Sequence, residues 1–330
     1  MKFSRRNFLH LYAGATTLPV MPRFARAQTY PSRPVTMIVP FAAGGPTDVL
    51  GRVLAERMGA ALSQTVIVEN TTGAGGAIGV GRVARATPDG YTLSLGIWST
   101  HVVNGAIYDL PYDLIKDFEP IALISRTLGL VIVAKKATPA KNLRDLIDQL
   151  KTKQEKISFA TAGVGTPPHI AGVLFQSLTG IPLQFVHYRG SAPAIQDLVG
   201  GQIDMGIDSP TTTLPQVRAG SINAYAVTAK SRLSAAPDIP TVDEAELPGM
   251  YLSVWFGLWA PKGTPKNVIA KLNLAATSAL ADQGTASRLA DLGQEIFPTD
   301  QQTPGALGAL QKADIEKWWP IIKAAGIKAE

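Results

Sequence analysis

The sequence contains no cysteine, which excludes disulfides, thiolate metal sites and cysteine nucleophiles. Histidine is scarce. His10, His101, His169 and His187 are the whole set, and none has the spacing of zinc ligands. Neither a metal nor a cofactor is therefore expected. No glycine-rich turn ends in the Gly-Lys-Ser/Thr of a P-loop, so nothing would reach terminal phosphates or hold Mg²⁺. No Gly-x-Ser-x-Gly elbow presents a nucleophilic serine. "GVGRVA" (Gly79–Ala84) fits a dinucleotide fingerprint in form only. It lies inside a helical pattern and lacks the ribose-binding acid, so dinucleotide binding is rejected.

Net charge is also missing from most of the chain. Five of the 31 bases (Lys2, Arg5, Arg6, Arg23, Arg26) and none of the 25 acids lie in residues 1–27, which leaves 26 bases against 25 acids beyond them. With no basic run in that remainder, nucleic acid is not an expected partner. The basic segment reads as an address. "SRRNFL" (Ser4–Leu9) has the form of a twin-arginine export signal, and "ARA" (Ala25–Ala27) fits the small-x-small cleavage rule. The apolar stretch between them falls short of the ~20 residues that span a bilayer. A cleaved signal, a mature start at Gln28 and a periplasmic location are expected.

What is present is an alternation of strand-like and helical runs, the βαβ rhythm of an α/β protein with largely parallel sheets. Strands are expected at 35–39, 65–69, 91–96, 157–161, 184–188, 203–207 and 223–228. Helices are expected at 46–62, 76–86, 142–153, 167–179, 191–199, 211–219, 265–281, 284–292 and 304–325. Extended runs near 119–125, 129–135 and 252–260 interrupt the rhythm. They suggest two lobes joined by two crossings, with lobe 1 built from 28–126 plus 249–330 and lobe 2 from 127–248. Such a hinged cleft is a common place for a small ligand.

Two glycine turns stand where a strand runs into a helix. The first is "FAAGGPTD" (Phe41–Asp48) and the second "ATAGVGTPPH" (Ala160–His169). Pro46 and Pro167 suit the first helical position, and Thr166 suits the N-cap. Each turn presents unpaired amides at the positive end of a helix, and such ends bind anions. Asp48 and His169 are conceivable as an acid/base pair across the cleft. The simpler reading gives each a local hydrogen-bonding role in its own turn. Ser99 and Ser209 fall at strand ends, where ligand contact is as reasonable as nucleophilicity.

"PFAAGGPTD" resembles the Pro-Phe-x-x-Gly-Gly-x-x-Asp motif of the Bug family of periplasmic solute-binding proteins, the receptors of tripartite tricarboxylate transporters. "AGVGTPPH" is similar to that family's second motif, Ala-Gly-x-Gly-Thr-x-x-His. Further stretches, among them "VIVENTTGAGG", "PDGYTL", "YRGSAPAIQDLVGGQID" and "WFGLWAPKGTP", extend the resemblance in order over 30–325. The resemblance implies a type II periplasmic binding-protein fold that closes on a carboxylate, with membrane transporter subunits as partners and a monomeric state. It places ligand contacts at Ala43, Gly44, Gly45 and Asp48, and at Ala162, Gly163, Gly165, Thr166 and His169. Ser99, Thr100, Asn104, Asp208, Ser209, Thr211, Trp255 and Phe256 are candidates for the pocket's other end, with hinge or core packing an equal reading for Trp255 and Phe256; for Arg189 a solvated surface role is favoured over a second-carboxylate site. Trp98 replaces the usual small polar residue and is expected to narrow the pocket. Two other roles remain open: presenting a ligand to a sensor kinase, and hydrolysis by Asp48 and His169.

Overall fold

The computed structural model describes residues 30–152, 156–324 and 326–328, so the expected export signal and cleavage point lie outside it. Strand β1 (Val35–Val39) leads through the first glycine turn into α1 (Pro46–Leu62). Then come β2 (Val66–Asn70), α2 (Ala77–Ala84), β3 (Thr92–Ile97), a short α3 (Asn104–Ile107) and the long β4 (Phe118–Thr127). The next series is β5 (Val131–Lys135), α4 (Leu143–Thr152), β6 (Ile157–Thr161), α5 (Pro167–Thr179), β7 (Leu183–His187) and α6 (Ser191–Val199). It continues with β8 (Met205–Asp208), α7 (Pro210–Arg218) and β9 (Ile222–Val227). The last segment holds β10 (Val254–Pro261), α8 (Lys266–Ala281), α9 (Gln283–Asp291), β11 (Glu295–Ile296) and α10 (Pro304–Ala324).

Two sheets result. The first has the order β11-β4-β10-β3-β1-β2 and the second β7-β6-β8-β5-β9. Within each, three βα-linked strands pair in parallel (β2-β1-β3 and β7-β6-β8), and one antiparallel strand follows them. That strand is β10 in the first sheet and β5 in the second. The expectation of largely parallel sheets is corrected here. A parallel neighbour needs a crossover of a dozen or more residues, and β5 and β10 have none because each arrives from the other sheet.

The chain therefore passes between sheets twice, after β4 and after β9. The two connections are tied together by buried Thr228, whose hydroxyl accepts the Leu130 N–H at 2.7 Å and whose N–H donates to the Leu130 carbonyl at 2.8 Å. Its own carbonyl accepts from the Leu252 N–H at 3.1 Å. Around this joint the sheets are covered on both faces. Along β5, Val131 and Val133 enter one apolar cluster while Ile132 and Ala134 enter another. A period of two in a strand produces that division, and burial on both faces explains why the run is apolar throughout.

Candidate functional site

The first turn is built by three constraints. Gly44 has φ +79°, a left-handed conformation that favours glycine, and Gly45 is an extended N-cap followed by Pro46. Asp48, 2 % exposed, then holds the turn from inside the helix. Its carboxylate accepts the Gly44 N–H, two Arg52 guanidinium N–H groups and the Asn70 amide, all at 2.9 Å. Burial alone would raise the pKa of Asp48. The Arg52, Gly44 and Asn70 hydrogen bonds, with the Arg52 charge, outweigh burial and hold it below the ordinary aspartate value.

The second turn repeats the scheme with different chemistry. Gly163 (φ +123°) and Gly165 (φ +77°) bend the chain, and Thr166 occupies the N-cap position. The expected side-chain cap is not formed, because the Thr166 hydroxyl donates back to the Gly163 carbonyl at 2.6 Å. His169 Nδ1 accepts the Gly165 N–H at 3.2 Å, as Asp48 accepts the amide of the glycine four residues before it. Burial, with His187 beside it, lowers the His169 pKa to about 4, so the imidazole is neutral at pH 7. No hydrogen bond joins Asp48 to His169 among the described residues. Each serves its own turn.

The two turns face each other across a closed cleft. The Ala42 N–H donates to the Arg189 carbonyl at 3.2 Å, and the Tyr108 hydroxyl to the Val164 carbonyl at 3.0 Å. Closure relies on bare backbone. A Cβ on Gly75 would stand 2.5 Å from the Val164 carbonyl oxygen, and one on Gly190 3.0 Å from the Ala42 nitrogen.

Between the lobes lies a narrow cavity of about 40 Å³, room for a few waters, so the cleft is nearly shut in this conformation. Phe41, Ile97, Leu130, Val254 and Phe256 form apolar walls. Polar groups come from Thr47, Thr127, Thr166, Ser191, Asp208 and Ser209, and no lysine, arginine or histidine lines the space. Thr47, Thr166, Ser191 and Ser209 share a property: each sits at the start of a helix or caps one. The N-termini of α1, α5, α6 and α7 all border the cavity, with Gly45, Thr166, Gly190 and Ser209 as N-caps. Four orphan-amide ends around one space make a field suited to an anion.

A second space, beyond Phe41 and Ala162, is bordered by Gly73–Gly76, Tyr108, Gly163 and Arg189. Arg189 thus stands beside this outer space. Ala43 and Gly44 are exposed on the turn, whereas Gly45 is buried. Thr100 is fully buried in a wide π-helical turn, Ser99–Val103, its hydroxyl bonded to the Ile97 backbone at 3.0 Å. The Ser99 hydroxyl is buried there without a described partner. Asn104 donates to the Gly75 carbonyl at 3.1 Å, and its buried, unpartnered Oδ1 lies 3.4 Å from where a Cβ of Gly165 would be. Thr211 reaches across the lobes, its hydroxyl donating to the Leu292 carbonyl at 3.0 Å.

Trp98 corrects an expectation. It packs edge-on against Trp318 at 5.0 Å, in the core rather than in the cavity, and so does not narrow it. Trp255 likewise donates to Asp314 at 2.7 Å, and of that aromatic pair Phe256 alone lines the cavity. Sequence reasoning missed Thr47, Ser191 and Tyr108. Ser191 had a readable signal, a Gly-Ser step between a strand and a helix, but Tyr108 had none.

A two-lobed α/β protein with an interlobe cavity bordered by helix N-termini is a cleft-type binding protein. The tripartite tricarboxylate transporter family receptor model matches residues 50–327, and the chain belongs to that family. A protein of Agrobacterium vitis, named for the TAR-I ttuE-ttuC' intergenic region, is 41 % identical over 94 % of this chain and 90 % of its own. The periplasmic binding protein BugD superposes with a TM-score of 0.87 at 42 % identity, over 91 % of this chain and all of that one. MatC from Rhodopseudomonas palustris with bound malate gives a TM-score of 0.84 at 37 % identity, over 89 % of this chain and all of MatC.

Proposed function

We propose that this chain is a periplasmic receptor that captures a small carboxylate between its lobes and delivers it to a tripartite tricarboxylate-type membrane transporter. The observation that carries the reading is the convergence of four helix N-termini on one cavity that no cationic side chain lines. Malate bound to a 37 % identical relative supports the ligand class. One carboxylate lies between the α1 and α5 turns. It is held by first-turn amides of Thr47 and Asp48 and by amides of the Ala162–His169 turn, away from Asp208.

The energetics are adequate. A hydrogen bond to a charged group is worth about 1.5–3 kcal/mol, and a partly buried helix terminus up to about 2. Several together offset carboxylate desolvation and leave about −8 kcal/mol, which is micromolar affinity. Ligand bridging both turns favours the closed state, which couples capture to a shape that a membrane partner reads. Twin-arginine export with cleavage after Ala27, a monomeric state and lobes at 28–126 plus 249–330 and 127–248 belong to the same proposal. So does the lack of any reaction of its own.

Calorimetry of the exported protein against mono-, di- and tricarboxylates, aromatic acids and amino acids tests it. The expected result is saturable binding of one carboxylate class, one ligand per chain, recovered unchanged. No saturable binding across all classes would sink the reading.

A further inference from the structure

Asp208 ends β8 inside the cavity and is only 4 % exposed. Its hydrogen bonds are lopsided. The Ser209 N–H at 2.6 Å, the Ser191 hydroxyl at 2.8 Å and, weakly, the Thr212 hydroxyl at 3.5 Å all donate to Oδ1. None of the described residues donates to Oδ2. Three donors on one oxygen hold the carboxyl group in place, while the other has no donor among the described residues and is not sealed off, since it is absent from the fully buried unpartnered atoms. A ligand that fills the cavity cuts this oxygen off from water, and an acceptor so buried without a partner is costly, so the atom marks a place for a ligand's donor.

The surroundings supply no substitute. No cation lines the cavity, and the apolar walls of Ile97, Leu130, Val254 and Phe256 cannot donate a side-chain hydrogen bond. Burial pushes the Asp208 carboxyl up to about 6, although Ser209, Ser191 and Thr212 act to lower it. At pH 7.5 it is still ionised, hence an acceptor and not a donor.

We infer that Asp208 determines specificity: its Oδ2 receives a hydrogen-bond donor on the ligand, so the ligand is a carboxylic acid that also carries an amino or hydroxyl group. The inference rests on the receptor reading above. Selection operates in two directions. A ligand with the donor satisfies Oδ2, whereas its unsubstituted parent leaves a buried acceptor unpaired, and a carboxylate placed there meets like charge.

The test is calorimetry at pH 7.5 on sets that differ only in the donor: L-malate and L-aspartate against succinate, L-leucine and 2-hydroxy-4-methylpentanoate against 4-methylpentanoate, and 4-hydroxybenzoate against benzoate. In the set that binds, at least one donor-bearing acid should bind tenfold or more tightly than its parent. The Asp208→Asn variant keeps Oδ1 and puts an NH₂ where Oδ2 stood, so it should abolish or reverse that preference. Equal affinities across every wild-type set would overturn the inference while leaving the receptor reading intact, and the wild-type comparison does not depend on the variant folding. A preference that survives in a folded Asp208→Asn protein would overturn it equally. Absence of binding by all the acids would remove the receptor reading and this inference with it.

Discussion

Tyr108 and Val164 meet across the cleft: the tyrosine hydroxyl of the first lobe donates to the valine carbonyl of the second at 3.0 Å. Burial raises the Tyr108 pKa, so the phenol stays protonated and remains a donor. The bond exists only when the lobes are closed, and it therefore contributes to the closed state and not to either lobe alone. Tyr108→Phe should lose one neutral hydrogen bond, about 0.5–1.5 kcal/mol, and weaken ligand affinity roughly two- to tenfold. Calorimetry reads the affinity and small-angle scattering the closure; an unchanged affinity would show that the latch contributes nothing.

Gly75 lies beside that latch with φ +56°, and a Cβ there would stand 2.5 Å from the Val164 oxygen and 2.9 Å from the Tyr108 hydroxyl. Gly75→Ala should obstruct closure and reduce affinity by about tenfold or more, a loss of about 1.4 kcal/mol. Gly180→Ala is the control. Its φ is +71°, yet nothing lies within 4 Å of the added methyl group, so it carries backbone strain without an interlobe clash. It should lower the melting temperature while leaving binding intact. Equal affinity losses in both variants would contradict the interlobe account.

Asp48 is predicted to act on stability through its turn. Asp48→Ala removes the acceptor for Gly44, Arg52 and Asn70 and should cost about 1–3 kcal/mol. Because its folded pKa is depressed, the stability from Asp48 is present above its unfolded pKa and disappears as pH falls through the folded value. Denaturant midpoints of Asp48→Asn should accordingly fall less than wild type below pH 4. Parallel acid profiles for the two proteins would be the contrary result.

His169 has the other acid-side effect, in a different window. Its folded pKa is about 4 against an ordinary 6.5, so between those values the unfolded chain binds more protons. Stability from this group is complete above pH 6.5 and declines as pH falls toward 4, by on the order of 3 kcal/mol. Asp208 has the opposite sign. Its raised pKa favours the folded state below about pH 4, and that contribution is lost as pH rises through about 6. His169→Gln keeps an acceptor for the Gly165 N–H and removes the titration, so its stability should be flatter between pH 4 and 6.5. A slope equal to wild type there would assign the effect elsewhere.

Much of the secondary structure was legible because local rules agreed with one another. β1, α1, β6, α5 and α6 occupy the residues that periodicity and the prolines at helix starts indicate. The two glycine turns were legible for the same reason. Gly44, Gly163 and Gly165 adopt positive φ, which the residue type itself permits, and Pro46 and Pro167 mark where the helices begin. The turn at Ser99–Val103 was not, since a π-helical turn has no period of its own in so short a span.

The sequence by itself determined the local chemistry: two turns with anion-seeking amides, apolar strands buried on both faces, and no cysteine for thiol chemistry. Tertiary structure alone decided which of these groups share a space. The antiparallel entry of β5 and β10, the meeting of α6 and α7 with α1 and α5 around one cavity, and the burial of Trp98 away from it depend on contacts between residues far apart in the chain. Asp208 shows the division most clearly. Its identity was readable in the sequence, but which of its oxygens is bonded within the protein is fixed by where Ser191, Ser209 and Thr212 stand in the folded chain.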